Sequence, residues 1–294
     1  MSDGRRAAGR IARGSGSLTL AGLAALLPLL LPLPACAAVT AGPGATPSAS
    51  PPAALPPPPL PANLPAERDP GWGGLLNQQG DPRTAPYGVG RLGPADPSAI
   101  SGVDWARGIA LPIYAAPAGS LRGWLARGWW IPAGDKPRPM PLGCLLETDY
   151  ETASFVLYEI RDDGWLRIGV EPPCDGGGFW LHRGHLGLGS QALAVQTWGE
   201  RFLSGSISPL YFRDRQRHAL RASPAPEADR IAWIGEADTF DALEIEGDWM
   251  RVRLSQPSSY CKDPETWKGR IAEGWLRWRD PMQGPWIWYF TRGC

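Results

Sequence analysis

Tryptophan is the residue type best suited to bind a ligand in this chain, which has 15 of them among 294 residues. An exposed indole offers a flat apolar face and one N–H donor, so it can stack on a sugar ring or a peptide proline. Four tryptophans stand in repeated surroundings and are the candidate ligand-binding residues: Trp165, Trp180, Trp249 and Trp275. The alternative for each is that it closes the end of a small apolar core.

Two other groups have residue types found in metal sites or in hydrolases. His182 and His185 are three residues apart, a spacing that directs strand side chains to opposite faces. Glu147, Asp149 and Glu151 alternate along a predicted strand, where a solvated face is a simpler interpretation than a carboxylate pair for glycoside cleavage. No nucleophile elbow or dinucleotide fingerprint follows residue 36. The sequence therefore predicts no enzyme, no metal site and no cofactor.

The chain contains one pattern twice. Residues 159–168 read EIRDDGWLRI, and residues 244–252 read EIEGDWMRV, with a turn one residue shorter. A shared order of strand, charged turn and two tryptophan strands indicates one small β module used in tandem. The flanking landmarks are an opening strand, at Pro112-Ile113-Tyr114 and Pro209-Leu210-Tyr211, and a later Trp-Leu pair, at Trp180-Leu181 and Trp275-Leu276.

Apolar and polar residues alternate around the repeat with a period of two, which is typical of β-strands. In the first copy Leu166 lies between Trp165 and Arg167. We expect the aliphatic side chains to face the core, and Trp165 and its counterpart Trp249 to lie on the partly exposed face. Helical signals are scarce, and the best candidate is one short helix at Leu193–Phe202. The fold is therefore predicted to be all-β.

The N-terminal third of the chain has the features of an export signal and a linker. Four arginines between residues 5 and 13 precede the apolar run Leu18–Leu33, which is too short and too interrupted by proline to make a comfortable membrane span. Residues 37–104 are rich in Pro, Ala, Gly and Ser and offer few large apolar side chains, which predicts a tether. With 29 basic and 29 acidic residues, the chain's charge indicates neither a nucleic-acid partner nor attraction to an anionic membrane.

Four cysteines remain once Cys36 is set aside, and thiols in an exported protein usually pair. These are Cys144, Cys174, Cys261 and Cys294, for which three connectivities exist. Two cysteines fall in each copy, which favours Cys144–Cys174 and Cys261–Cys294. A zinc site is the alternative, but the sequence has no C-x-x-C spacing and its histidines do not accompany the cysteines.

The repeated motifs resemble the bacterial SH3-like domain. In that family a proline-aromatic strand, a charged turn before Gly-Trp and a final Gly-Trp-apolar strand form a small barrel. The resemblance implies two tandem SH3-like β-barrels, at residues 105–189 and 208–294, with a connector at 190–207. Phe179 and Asp248 depart from the pattern because each interrupts a Gly-Trp pair. The matching residues are Pro112-Ile113-Tyr114, Asp163–Ile168 and Gly178–Leu181 in the first copy, and Pro209-Leu210-Tyr211, Gly247–Val252 and Glu273–Leu276 in the second.

The end of the predicted export signal, residues 1–36, resembles the lipobox of bacterial lipoproteins. It reads Leu33-Pro34-Ala35-Cys36, and the resemblance implies that Cys36 is lipidated and becomes the mature N-terminus. Ala37 resembles the residue after the cysteine in lipoproteins of the outer membrane, which implies the periplasmic side of that membrane. The alternative is a small-residue cleavage site at Ala35-Cys36-Ala37 that releases a soluble periplasmic or secreted protein.

The SH3-like resemblance implies a non-catalytic cell-envelope protein whose modules recognise peptidoglycan or its peptide stems. A scaffold subunit of an envelope assembly, bound to another envelope protein, is the alternative, since exposed tryptophans and a tether suit it equally. A cell-wall hydrolase is a third hypothesis, which the missing catalytic constellation disfavours.

Overall fold

The strands of this chain are built from the alternating segments of the sequence. The computed structural model describes residues 55–69, 75–76, 86–99, 102–207, 209–235, 238–255, 270–281 and 284–291. The predicted export signal with Cys36, and the predicted disulfide Cys261–Cys294, lie outside these ranges. Over the described residues the fold is all-β with antiparallel sheets, as predicted.

The first sheet takes its strands from the N-terminal part of the described chain. Three 3-10 turns, at Pro97–Ala99, Asp104–Arg107 and Arg183–His185, connect them. The strands are β1 Gly90–Pro94, β2 Ala110–Tyr114, β3 Leu121–Ala126, β4 Trp129–Pro132, β5 Met140–Pro141, β6 Leu145–Asp149, β7 Thr152–Ile160, β8 Trp165–Ile168, β9 Trp180–His182 and β10 Leu193–Thr197.

The second sheet follows a short helix, α1, at Trp198–Leu203. Two of the later strands, β17 and β18, form a separate two-stranded ribbon. The strands after α1 are β11 Leu210–Phe212, β12 His218–Arg221, β13 Arg230–Ile234, β14 Thr239–Glu246, β15 Trp249–Ser255, β16 Arg270–Arg277, β17 Arg279–Asp280, β18 Gly284–Pro285 and β19 Ile287–Tyr289.

The two sheets share one strand order. The first runs β10-β1-β7-β8-β9-β2-β3 and continues to β4 and β5, with β6 beside β7. The second runs β19-β11-β14-β15-β16-β12-β13. Each therefore has a three-stranded meander, an earlier strand and a later strand added at one side, and a hairpin added at the other. The repeat in the sequence corresponds to this repeated topology.

The strand order shows which strands of the two sheets are structurally equivalent. Pro112-Ile113-Tyr114 lies in β2, which pairs with the last strand of its meander, whereas Leu210-Tyr211 lies in β11, which pairs with the first strand of the other meander. The counterpart of β11 is β1, and the counterpart of β2 is β12. The matched opening strands of the sequence are therefore not equivalent, because they hydrogen-bond to opposite sides of the repeated meander.

Strand β1 lies within the segment 37–104 that was expected to be a tether. It pairs with both β7 and β10, and Leu92 is fully buried. Its glycines, which make the segment resemble a linker, permit this close approach, since a Cβ at Gly90 would collide with the carbonyl of Gln196 on β10. The repeated unit of the structure thus begins before residue 105 and includes β10 from the expected connector.

The expected helix Leu193–Phe202 is half strand and half helix. Residues 193–197 pair with β1 as β10, and α1 begins only at Trp198. The boundary is set by a capping box, in which the Thr197 hydroxyl accepts from the Glu200 amide and the Glu200 carboxylate accepts from the Thr197 amide.

The two sheets share part of their apolar core. One cluster belongs to the first sheet and includes Phe155 and Leu166. The other is centred on the second sheet, but it also contains Leu146 and Val156 from β6 and β7 and Trp198 from α1. The described copies of the module are therefore packed together and are not separated by a free connector.

Candidate functional site

The repeated tryptophans occupy equivalent places in the two meanders. In the first, Trp165 on β8 lies opposite His182 on β9, and in the second Trp249 on β15 lies opposite Arg277 on β16. Two places along the strands, Arg167 lies opposite Trp180 and Arg251 lies opposite Trp275. The sequence-predicted set of four tryptophans is thus two matched pairs, one pair in each sheet.

In the first copy the position of Trp165 is closed. Only 5% of its surface is exposed, because Tyr114 packs edge-on against its ring at 5.3 Å and His182 does so at 5.2 Å. The expected partly exposed platform is therefore absent at Trp165. The alternation of the strand was identified correctly, but β2 places Tyr114 over the face on which this tryptophan lies.

His182 and His185 lie in the same cluster and not on opposite faces. Their ring centroids are 5.8 Å apart, and both side chains are buried. The reason is that the strand ends at His182 and residues 183–185 form a 3-10 turn, which the strand-based spacing did not anticipate. Nε2 of His185 is 2.8 Å from the carbonyl oxygen of Leu55, so this histidine serves packing in the described structure.

In the second copy the equivalent position is open. Half-buried Trp249 borders a cavity of about 340 Å³, together with His218 and Arg221 of β12, Pro226, Asp248 and Arg277. Where the first copy has Tyr114 opposite Trp180, the second has Arg221 opposite Trp275. The exchange of Tyr114 for Arg221 and of His182 for Arg277 replaces an aromatic lid with two guanidinium groups.

The charges around this cavity are unequal. Arg221 donates to the carbonyl of Ala228 at 2.7 Å, which fixes its guanidinium, and Arg277 lies over the Trp286 ring at 5.3 Å. The one carboxylate among the lining residues, Asp248, is already paired with Arg279 at 2.7 Å. The cavity therefore combines an indole face with two guanidinium groups, which suits a ligand that has an apolar ring face and a carboxylate.

Trp180 and Trp275 are half-buried and lie beside arginines. The guanidinium of Arg167 is 6.0 Å from the Trp180 ring centroid, and Arg251, opposite Trp275, forms an ion pair with Glu273. Neither of these tryptophans lines the cavity beside Trp249. The structure thus brings one of the four sequence-predicted tryptophans to an open cavity.

A second cavity, of about 920 Å³, lies beside two buried arginines that the sequence analysis did not single out. Arg91 on β1 and Arg201 on α1, whose side chains are 5% and 7% exposed, both form ion pairs with Asp149. Arg201 also donates to the carbonyl of Thr148, to which the Tyr289 hydroxyl donates at 2.6 Å. This network joins the first sheet, α1 and the second sheet.

The two arginines do not share the carboxylate equally. Asp149 lies closer to Arg201, and Nη1 of Arg91 is 3.5 Å from it. Burial and the positive charge of Arg201 lower the pKa of Arg91. Burial opposes the charged form of Arg201 too, but Tyr289 and Asp149 outweigh it and raise the pKa of Arg201. Asp149 is thus the main counterion of Arg201, and Arg91 is left partly compensated.

The expected solvated face of Glu147, Asp149 and Glu151 is not present. Glu147 is buried, Asp149 is engaged by the two arginines, and Glu151 lies in the turn after β6 with a φ of 49°. Alternation along the strand could not reveal this, since Arg91 of β1 and Arg201 of α1 reach Asp149 from distant parts of the chain.

The predicted disulfide Cys144–Cys174 is present in the structure, with the two Cα atoms 5.2 Å apart. It joins the residue just before β6 to the loop after β8. Among the described residues no group of three or more His, Cys, Asp and Glu side chains could hold a metal ion. No helix within the described ranges is both long and apolar enough to cross a membrane.

One sequence signal could have identified the open cavity. The triplets Trp180-Leu181-His182 and Trp275-Leu276-Arg277 align, so the change from His182 to Arg277 marks where the copies differ. Arg221 had no comparable signal, because β12 was not recognised as a repeated strand. Comparison of the chain with protein-family models and with curated protein sequences finds no match.

Proposed function

We propose that the protein is a non-catalytic cell-envelope binding protein that recognises peptidoglycan or its peptide stems through the cavity beside Trp249. The observation that carries the proposal is the difference between the copies, which fill one position with Tyr114 and His182 and open it in the other with Arg221 and Arg277. A cavity lined by an indole and a few polar side chains has the general features of a ligand site.

The chemistry of peptidoglycan matches the residues around this cavity. Its sugars present apolar faces to an indole, and its peptide stems carry carboxylates that a guanidinium binds through charge-assisted hydrogen bonds. The repeated meander and its charged turn support the further proposal that each copy is an SH3-like barrel. In this proposal the second copy holds the ligand, and the first copy serves as its structural support.

The experiment is retention of the full-length protein by purified, protein-free sacculi. We expect Trp249→Ala and Arg277→Gln each to weaken retention by about tenfold, as for the central residues of a binding surface. The control is Arg253→Gln, which removes an exposed arginine from the same strand as Trp249. Undiminished retention of both cavity variants would show that any wall binding uses another surface.

A scaffold role in an envelope assembly is the second candidate, and one observation favours it. Strand β13 is the edge of the second sheet among the described strands, and it exposes Ile231 and Trp233, 48% and 44% accessible. An edge strand with exposed apolar side chains can accept a strand from another protein. In a crosslinking pull-down from envelopes, Trp233→Ser should then abolish capture of a protein partner while sacculus retention is unchanged.

The proposed location is the periplasmic side of the outer membrane, with an anchor on Cys36. Several acyl chains are needed for stable membrane attachment. We expect Cys36→Ser to move the protein from the membrane fraction to the soluble periplasm. Wild-type protein that is already soluble would instead support the cleaved periplasmic or secreted form.

A further inference from the structure

The first sheet carries a second aromatic surface, on the face opposite its main core. Along β3 and β4, Leu125 and Trp130 belong to the main core, whereas their neighbours Trp124, Ala126 and Ile131 form a separate buried cluster. Successive strand residues point to opposite faces, so this cluster lies on the outside of the sheet. Without a cover it would be an exposed apolar patch.

The cover is a proline-rich segment of the same chain. Residues 60–69, here called the strap, read LPANLPAERD and form neither helix nor strand. Leu121 and Trp129 border the cluster and form a groove with it on the sheet surface. Leu64 of the strap packs into this groove.

The groove holds the strap through backbone carbonyls. Nε1 of Trp129 donates to the carbonyl oxygen of Ala66 at 2.9 Å, and the guanidinium of Arg127 donates to that of Pro65 at 3.3 Å. The guanidinium of Arg68 lies 4.7 Å from the Trp129 ring centroid. An indole N–H that donates to a carbonyl, beside an apolar pocket filled by one side chain, is how aromatic grooves bind extended proline-rich peptides.

We infer that the groove of Leu121, Trp124 and Trp129 is a binding site for Leu-Pro peptide segments, and that the strap is its intramolecular occupant. A Leu-Pro segment of a partner protein displaces the strap and takes the same contacts. This inference concerns the first sheet and does not depend on the function proposed for the cavity beside Trp249.

The contacts of the strap are of the kind that a competitor can replace. Its hydrogen bonds to Trp129 and Arg127 are exposed, and its ion pair from Asp69 to Arg107 has side chains that are 67% and 38% exposed. A tethered occupant nevertheless acts at an effective concentration on the order of millimolar. A free peptide should therefore bind the intact protein weakly and bind it strongly once the strap is loosened.

The test uses the full-length protein and a fluorescent, acetylated peptide with the sequence of residues 60–69, followed by fluorescence anisotropy. Leu64→Ser removes the strap side chain that fills the groove and leaves the groove intact. We expect this variant to bind the peptide at least about tenfold more tightly than the wild type. Pro65→Gly, which loosens the strap by adding backbone freedom, should also bind more tightly than the wild type.

Matched tryptophan variants locate the binding. In the Leu64→Ser background, Trp129→Phe keeps an aromatic ring, although a smaller one, and removes the N–H donor, and we expect it to weaken peptide binding about fivefold. Trp278→Phe removes an indole N–H that donates to the carbonyl oxygen of Gly247 in the other sheet, and it should leave the affinity unchanged. Equal peptide binding by the wild type and both strap variants, or an unchanged affinity after Trp129→Phe, would overturn the inference.

Discussion

Asp149 is the counterion of two buried arginines, and its replacement by asparagine gives a sharp test of the network that joins the sheets. Asp149→Asn keeps the shape of the side chain and removes its charge. Arg91 and Arg201, whose side chains are 5% and 7% exposed, then lack the carboxylate that pairs with them. Breaking a buried ion pair on one side typically costs 3–5 kcal/mol, and since Asp149 is 19% exposed we expect about 3 kcal/mol.

The assay is urea unfolding of the full-length protein at neutral pH, followed by tryptophan fluorescence. We expect the midpoint to fall while the slope stays constant, since the change acts on stability and not on the surface exposed by unfolding. The control is Glu159→Gln, which removes one partner of the partly exposed Arg167–Glu159 pair and should cost less than about 1 kcal/mol.

A double variant tests whether the loss of stability comes from an uncompensated buried charge. Asp149→Asn combined with Arg201→Met removes one of the two uncompensated charges and leaves that of Arg91, so it should recover part of the lost stability. If Asp149→Asn is no less stable than Glu159→Gln, the buried guanidinium groups do not depend on this carboxylate for the stability of the fold.

Three further predictions concern stability. Trp165→Ala should cost about 3–5 kcal/mol and Trp249→Ala clearly less, because only the first ring is enclosed; equal losses in thermal unfolding would contradict the difference between the copies. Loss of the disulfide by Cys144→Ser should cost about 3.7 kcal/mol for a separation of 30 residues, and an unchanged melting temperature would exclude that contribution. Burial raises the pKa of Tyr289 from 10 to about 12, so the unfolded chain loses its phenolic proton first and stability should fall as the pH rises from about 10 to about 12. Burial also raises the pKa of Tyr87 to about 12, so Tyr289→Phe should make this slope shallower in pH-dependent unfolding without removing it, and an identical slope would assign it to other groups.

The sequence was sufficient for the elements whose signal is local. The period of two around Leu166 and Met250 predicted the meander strands, and the repeated turns predicted that the two meanders correspond. The separation of Cys144 and Cys174 within one copy predicted a disulfide that the structure contains. The strand signals each lie within one hairpin, and the two cysteines lie 30 residues apart within one copy.

The features that the sequence did not reveal depend on contacts between distant segments. Tyr114 covers Trp165 because β2 pairs with β9 across 66 residues, and no alternation within β8 reports that partner. The proline-rich composition of residues 60–69 indicated a free tether, yet the outer face of β3 and β4 offers N–H donors for its carbonyl oxygens and an apolar surface for Leu64. Composition shows that a segment has too few apolar residues to form its own core. It does not show whether the segment can bind to the surface of another part of the chain.

The buried arginines show the same limitation for charge. Arg91 lies in a Gly- and Pro-rich stretch and Arg201 in a short amphipathic segment, so neither has a local sign of burial. Their burial follows from the meeting of β1, β6 and α1 around Asp149. The cavity beside them could be recognised only once the strand order was known.

We propose that the cavity beside Trp249 is the ligand site, and calorimetric titration with a soluble muropeptide measures that binding in solution. The ligand is a peptidoglycan disaccharide that carries its peptide stem, titrated into the full-length wild type and the Trp249→Ala/Arg277→Gln double variant. We expect the wild type to bind the ligand, the double variant to bind it at least about tenfold more weakly, and Arg253→Gln to bind it as the wild type does. No binding to the wild type, or equal affinity of all three proteins, would contradict it.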